Sequence, residues 1–228
     1  MDGNLDQLKP NGAVSGQQES TPSASSATTA ATQSQSASAG AAKPAYPSAA
    51  AVPTQEAPQG VRFDFNEGGR VVLPESEHPW RVRLFDLDTG NILYETELKA
   101  GRVASTKRYY VRFRIDVWQE GESVFSHEYS AEGQPVLINF PVGTLGDTLG
   151  WFPYAVKFQQ QHKCRLTCAM AERLIPLFRD THPHIEFVTH EEAKTERFYA
   201  TYNIGLFFDD RDGVFQPCDF RHVGLHRT

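Results

Sequence analysis

The spacing of apolar residues changes once along this chain, at Gln134, and that change restricts it to a mixed architecture. From Val61 to about Gly133 the pattern has period two. Phe63 and Phe65 flank Asp64, Trp80, Val82 and Leu84 alternate with Arg81 and Arg83, and Phe113, Ile115 and Val117 alternate with Arg114 and Asp116. Such alternation marks strands with one buried face. Turn-forming clusters separate them at Asn66-Glu67-Gly68-Gly69, Asp88-Thr89-Gly90-Asn91 and Gln119-Glu120-Gly121-Glu122. Six or seven short strands predict a small antiparallel sandwich or barrel over residues 61–133. The Arg and Tyr residues between the apolar positions read most simply as its solvated face, with a surface for a partner as the alternative reading.

From Gln134 the pattern is that of an α/β chain. Pro135-Val136-Leu137-Ile138-Asn139-Phe140 is a compact apolar run, as expected of a strand covered on both faces. Helical spacing follows from Thr148 to about His162, then a strand at Cys164–Cys168 and a helix from Ala169 to Arg179. Further strands are expected at His184–Val188 and Tyr199–Phe208. This alternation predicts an incomplete Rossmann-like half over residues 134–228. Phe220–Thr228 reads as the opening of another helix with no stop signal, so the unit is expected to be unfinished.

Composition bounds the remainder. Of the 50 positions from 11 to 60, 43 are Ala, Ser, Thr, Gln, Pro or Gly, and none is Leu, Ile, Phe or Trp. Too little apolar surface is present there to offset backbone entropy, so residues 1–60 are read as a disordered tail. The net charge is −6 without a basic run, which argues against a nucleic-acid platform. No apolar stretch reaches the roughly 20 residues of a membrane helix, and the N-terminus lacks the basic and apolar regions of a secretory signal. Three cysteines, Cys164, Cys168 and Cys218, fit reduced thiols in a cytoplasmic protein.

One segment carries chemistry. Phe140-Pro141-Val142-Gly143-Thr144-Leu145-Gly146-Asp147 joins the first parallel strand to the first helix. Open α/β sheets bind ligands outside the carboxyl ends of their strands. Gly143 and Gly146 would let backbone approach a ligand, Thr144 and Leu145 would shape the crevice, and Asp147 would stand at its mouth. Asp147 has two readings. With Pro153 in the first helical turn, the helix starts near Gly150 and Asp147 lies in the loop. With a start at Thr148 and a kink at Pro153, Asp147 is the helix cap. Either way its carboxylate lies at the positive end of the helix dipole. The other constellations are weaker. Cys164 and Cys168 suit two buried thiols, His222 and His226 lack a third ligand, and Asp209-Asp210-Arg211-Asp212 lacks the closing Glu of a calcium loop. Ser126-His127-Glu128 on a strand is not a triad.

Leu137–Tyr154, LINFPVGTLGDTLGWFPY, closely resembles the bacterial autotransporter heptosyltransferases, relatives of the lipopolysaccharide heptosyltransferases. So do Phe63–Leu73 (FDFNEGGRVVL), Tyr109–Ile115 (YYVRFRI), His162–Cys168 (HKCRLTC), Tyr199–Leu206 (YATYNIGL) and Phe220–Arg227 (FRHVGLHR). The resemblance covers about residues 61–228. It implies a β-rich domain followed by a GT-B fold of two Rossmann-like halves, working in the cytoplasm. It implies inverting transfer of heptose from ADP-heptose to hydroxyl side chains of an autotransporter adhesin, with Asp147 as general base. It also implies a large oligomer, and an iron site in a cysteine-rich region beyond the part matched here. No metal or cofactor is therefore expected on this chain. Because the donor-binding half is missing, the chain alone is expected not to turn over. A non-catalytic adhesin-binding module and an inactive remnant remain the rival readings.

Overall fold

The computed structural model describes residues 46–141, 145–207 and 209–217. Gly143, Thr144, Cys218, the His222/His226 pair and the closing Phe220–Thr228 stretch lie outside them. In chain order the strands are β1 Gln55–Glu56, β2 Arg62–Asn66, β3 Arg70–Leu73, β4 Trp80–Asp86, β5 Asn91–Leu98, β6 Gly101–Ala104, β7 Phe113–Gln119, β8 Glu122–Glu128 and β9 Pro135–Asn139. Helix α1, Leu145–His162, leads to β10 Arg165–Ala169. A short α2, Pro176–Arg179, then precedes β11 Glu186–Val188 and β12 Ala200–Asn203.

Two sheets result. β5, β4, β7 and β8 form a four-stranded antiparallel sheet. β11, β10, β9, β12 and β2 lie side by side in one direction, and the sheet continues through antiparallel β3 and β6. β1 pairs with the other half of β2. The expected self-contained sandwich over 61–133 is thus corrected. Its strands divide: β4, β5, β7 and β8 keep to themselves, whereas β2, β3 and β6 extend the parallel sheet. The boundary at 133/134 is not a boundary in space, because Ala200 and Thr201 of β12 are in register with Phe65 and Asn66 of β2.

Alternation explains the four-stranded sheet. Trp80, Val82, Leu84, Phe113, Ile115 and Val117 are buried on one face. On the other, Arg81 and Arg83 bind Glu95 and lie over the Trp118 ring, while Arg114 lies over Phe85. The inner face meets the larger sheet through aromatic contacts: Phe63 to Phe125 at 4.8 Å and Phe65 to Phe113 at 6.1 Å. The β2–β3 turn requires its glycine. Gly68 has φ +90°, and a Cβ there would stand 2.2 Å from the Lys107 carbonyl oxygen.

The tail is also corrected, in part. Residues 46–60 belong to the fold, although their composition resembles the preceding stretch. They are held by polar groups of the core. Arg70 and Asp64 form a buried ion pair (2.6 Å). Arg70 also donates to the Ala50 carbonyl (2.8 Å), and Asp64 accepts from the Thr54 amide (3.1 Å). The Tyr46 hydroxyl donates to the Ile204 carbonyl (3.1 Å). A composition count misses these contacts because two of them use backbone groups of small residues, Ala50 and Thr54, and the third a single tyrosine hydroxyl.

Candidate active site

β9 and β12 are parallel neighbours, yet chain order runs from β9 away through β10 and β11 before returning to β12. The connections leaving β9 and β12 therefore diverge, and a crevice opens outside the carboxyl ends of these two strands. Asp147 belongs to the connection that leaves β9. α1 begins at Leu145, so Leu145, Gly146 and Asp147 are its first three residues. Asp147 is accordingly neither in the loop nor the cap residue. Pro153 lies inside the helix, not in its first turn. The side chain of Asp147 is exposed, at the end of α1 where unpaired backbone amides concentrate positive potential.

The remaining crevice candidates separate. Leu145 is 46% exposed. At Gly146, and at Gly150 one turn on, an added Cβ would meet no atom of the described residues within 4 Å, so among them the start of α1 is uncovered. Two polar atoms below that surface lack partners among the described residues: Thr148 Oγ1 in the first turns of α1, and Asn139 Oδ1 at the end of β9. Both residues are fully buried. The Asn139 amide nitrogen donates to Asn203 Oδ1 at the end of β12 (2.9 Å), which ties the two strand ends together.

Beside these ends lies a cavity of about 220 Å³ walled by Tyr110, Ile138, Tyr154, Phe158, Tyr202 and Ile204. Its rings brace α1. Tyr110 meets Phe158 at 5.7 Å and Tyr202 at 5.9 Å. The Tyr202 hydroxyl donates to that of Tyr129 (3.0 Å). Burial pushes the Tyr110 hydroxyl up to about 12, so it is a neutral wall group at physiological pH. The sequence reading missed this cavity. Only Tyr154 and Phe158, seven and eleven residues beyond Asp147 and hence on the same helix face, could have been found by spacing. A second cavity, about 370 Å³ and lined by Pro135, Arg165 and Glu186 among others, opens toward the amino ends of β9 and β11 and is remote from Asp147.

Other sequence candidates have structural roles. Cys164 and Cys168 are buried free thiols, and burial pushes Cys164 up to about 11. Asp210 accepts the amides of Val214, Phe215 and Gln216, closing a turn. His127 meets the Tyr199 hydroxyl at 2.9 Å while Ser126 donates to Asp116. Among the described residues, no three His, Cys, Asp or Glu side chains group as metal ligands. No helix among them is long and apolar enough to cross a membrane.

Residues 57–121 match the family model described as "Glycosyltransferase TibC, N-terminal domain". The chain is 49% identical over 179 residues to the autotransporter heptosyltransferase BAHTCr of Citrobacter rodentium, covering 78% of this chain and 43% of that protein. It is 48% identical over 178 residues to the autotransporter heptosyltransferase TibC of Escherichia coli O78:H11, with 77% and 43% covered. It is also 48% identical, over 177 residues, to a Burkholderia thailandensis protein named as the inactive autotransporter heptosyltransferase BimC, with 78% and 41% covered. The crystal structure of TibC, described as an iron-containing dodecameric glycosyltransferase, aligns with a TM-score of 0.72 at 46% identity, covering 78% of this chain and 46% of that one. A second TibC structure, in complex with ADP-D-β-D-heptose, aligns with a TM-score of 0.71. The chain spans less than half the length of these relatives. In sequence and in fold, over 78% of its length, the chain is similar to the N-terminal portion of the autotransporter heptosyltransferases.

Proposed function

We propose that this chain is the acceptor side of an inverting GT-B glycosyltransferase that moves heptose from ADP-heptose to serine hydroxyls of an autotransporter adhesin, with Asp147 as general base. The single observation that carries the reading is the place of Asp147: exposed, in the first turn of α1, at the carboxyl ends of β9 and β12. Taken in chain order from β9, the four strands β11, β10, β9 and β12 stand as 3-2-1-4. That is the order of a doubly wound Rossmann-like half, and it supports the GT-B assignment.

A serine hydroxyl is a weak nucleophile at neutral pH. As its oxygen forms the bond to the anomeric carbon, the Asp147 carboxylate takes its proton. The bond from that carbon to the ADP oxygen breaks on the opposite face, and the electron pair leaves with ADP, which inverts the centre. The leaving diphosphate needs cationic or hydrogen-bonding groups but no acid. Those groups belong to the part of the relatives beyond the match, so the 228-residue chain alone is proposed not to turn over. The described residues do not fit an iron site, since no three His, Cys, Asp or Glu side chains among them come together. The bound iron and dodecameric state belong to TibC. Assembly of this protein into a comparable oligomer, and its work in the cytoplasm, are part of the proposal.

A second reading has its own support. BimC is named inactive at 48% identity, close to the value for TibC, so likeness over this region does not separate active from inactive relatives. On that reading the chain binds adhesin without transferring sugar. The test is heptose transfer by the chain completed to family length, with and without Asp147→Asn. Loss of transfer with retained adhesin binding supports the base. Adhesin binding with no transfer by either protein supports the non-catalytic reading.

A further inference from the structure

Asp147, Trp151, Tyr154 and Phe158 form one stripe along α1, because seven and eleven residues return a helix to within about 20° of the same direction. Tyr154 and Phe158 also wall the 220 Å³ cavity, together with Tyr110, Ile138, Tyr202 and Ile204. From Asp147 to Tyr154 the helix rises about 10 Å. A polyproline-II segment advances about 3.1 Å per residue with three residues per turn, so its side chains i and i+3 point the same way about 9 Å apart. An extended strand does not match, because its positions i and i+3 face opposite sides.

Two further observations fit a peptide lying along this line. Gly150 stands between Asp147 and the cavity, and the space over its Cα is open, so a backbone can rest on the helix there. The stripe carries no charge apart from Asp147, so away from that carboxylate an uncharged peptide covers no ion of the stripe. The cavity wall is mostly aromatic and aliphatic, with Arg108 and Asn203 as its charged and amide members, and the Tyr202 hydroxyl is already engaged by Tyr129. Its chemistry suits an apolar side chain. Aromatic-lined grooves are a recurring means of holding polyproline-II ligands.

Resting on the reading of Asp147 as the base, we propose that this cavity selects the acceptor: it holds one apolar side chain of the adhesin segment, three residues from the serine that faces Asp147, with the segment in polyproline-II conformation. Tyr154 is then a specificity-determining residue, and the acceptor preference is a spacing rule.

The test is a binding scan with the 228-residue chain. Labelled peptides of Gly, Asn and Thr surround one central Ser, and a single Leu is moved through positions −6 to +6. Fluorescence anisotropy reads the affinity. The expected result is tightest binding with Leu at −3 or +3, about fivefold over positions two and four residues away, a difference within reach of one buried side chain. Tyr154→Ala, at a residue 51% exposed, removes that preference, and Tyr154→Phe keeps it because the ring supplies the contact. A flat scan, a maximum elsewhere, no measurable binding, or a maximum that survives Tyr154→Ala overturns the proposal. Asp147→Asn leaves the preferred spacing unchanged. If it also leaves transfer unchanged in the completed protein, the base reading falls while the cavity assignment stands.

Discussion

Asp64 and Arg70 are the two charged side chains most deeply enclosed in the larger sheet, at 0% and 3% exposed. Their ion pair is supplemented on both sides, by Asn66 and the Thr54 amide on the carboxylate and by the Ala50 carbonyl on the guanidinium. Removing one partner strands the other charge in a site without water. Arg70→Ala is therefore expected to destabilise the chain by about 3–5 kcal/mol, measured by urea unfolding. A loss below about 1 kcal/mol, the range of exposed pairs, would place the pair in solvent contact. His127 makes a second residue-level prediction. Burial holds its imidazole pKa below the ordinary value, against a smaller opposite pull from Glu128. The unfolded chain then binds the proton first as pH falls. Stability associated with His127 is present above about pH 6.5 and is lost as pH drops through that value toward the lower folded one. Unfolding midpoints from pH 8 to 5 should fall, and His127→Gln should flatten part of that fall. An unchanged slope would contradict the assignment.

At the scale of elements, α1 contains a conflict between stability and use. Glycine in a helix costs about 1 kcal/mol relative to alanine, yet Gly146 and Gly150 sit in α1 with open space where a Cβ would go. No packing within the described fold accounts for them. Gly146→Ala and Gly150→Ala should each stabilise the chain by about 0.5–1 kcal/mol by thermal unfolding. A loss of stability would mean that the glycines serve the fold instead of a ligand. The segment from Tyr46 to Ala57 is the other informative element. A chain starting at Val61 loses the partners of Asp64, Arg70 and Ile204, and each stranded buried polar group costs about 1–3 kcal/mol. It should unfold at lower urea than a chain starting at Ala41. Equal midpoints would contradict the role given to this segment. Legibility follows the same division. Period-two spacing located β2, β4 and β7, and in β4 and β7 the buried face follows it, whereas the run at Pro135 located β9 by its unbroken burial. β6 and β1, of four and two residues, are too short for any period to register. The expected helix from Ala169 to Arg179 shrinks to α2 and one preceding 3₁₀ turn, since Pro176 cannot donate a backbone bond in mid-helix.

For the whole molecule, local pattern could not reveal which strands share a sheet. The pairing of β2 with β12 joins residues more than a hundred positions apart, and it merges two expected domains into one core. Register between distant strands depends on packing complementarity, which no local window contains. The place of Asp147 between β9 and the body of α1 was legible because the apolar run ending at Phe140 and the helical spacing from Thr148 bracket it. The tyrosine-walled cavity was not, because Tyr110, Tyr154 and Tyr202 come from three separate segments. The account as a whole rests on Asp147 taking the acceptor proton. The most direct measurement is single-turnover heptose transfer at saturating ADP-heptose, comparing the chain completed to family length with its Asp147→Asn variant. The predicted result is a fall of about 10²–10⁴-fold in rate, with acceptor affinity changed less than about twofold. A variant that transfers heptose within about threefold of the parent rate would contradict the central claim, since a base that contributes so little is not the general base.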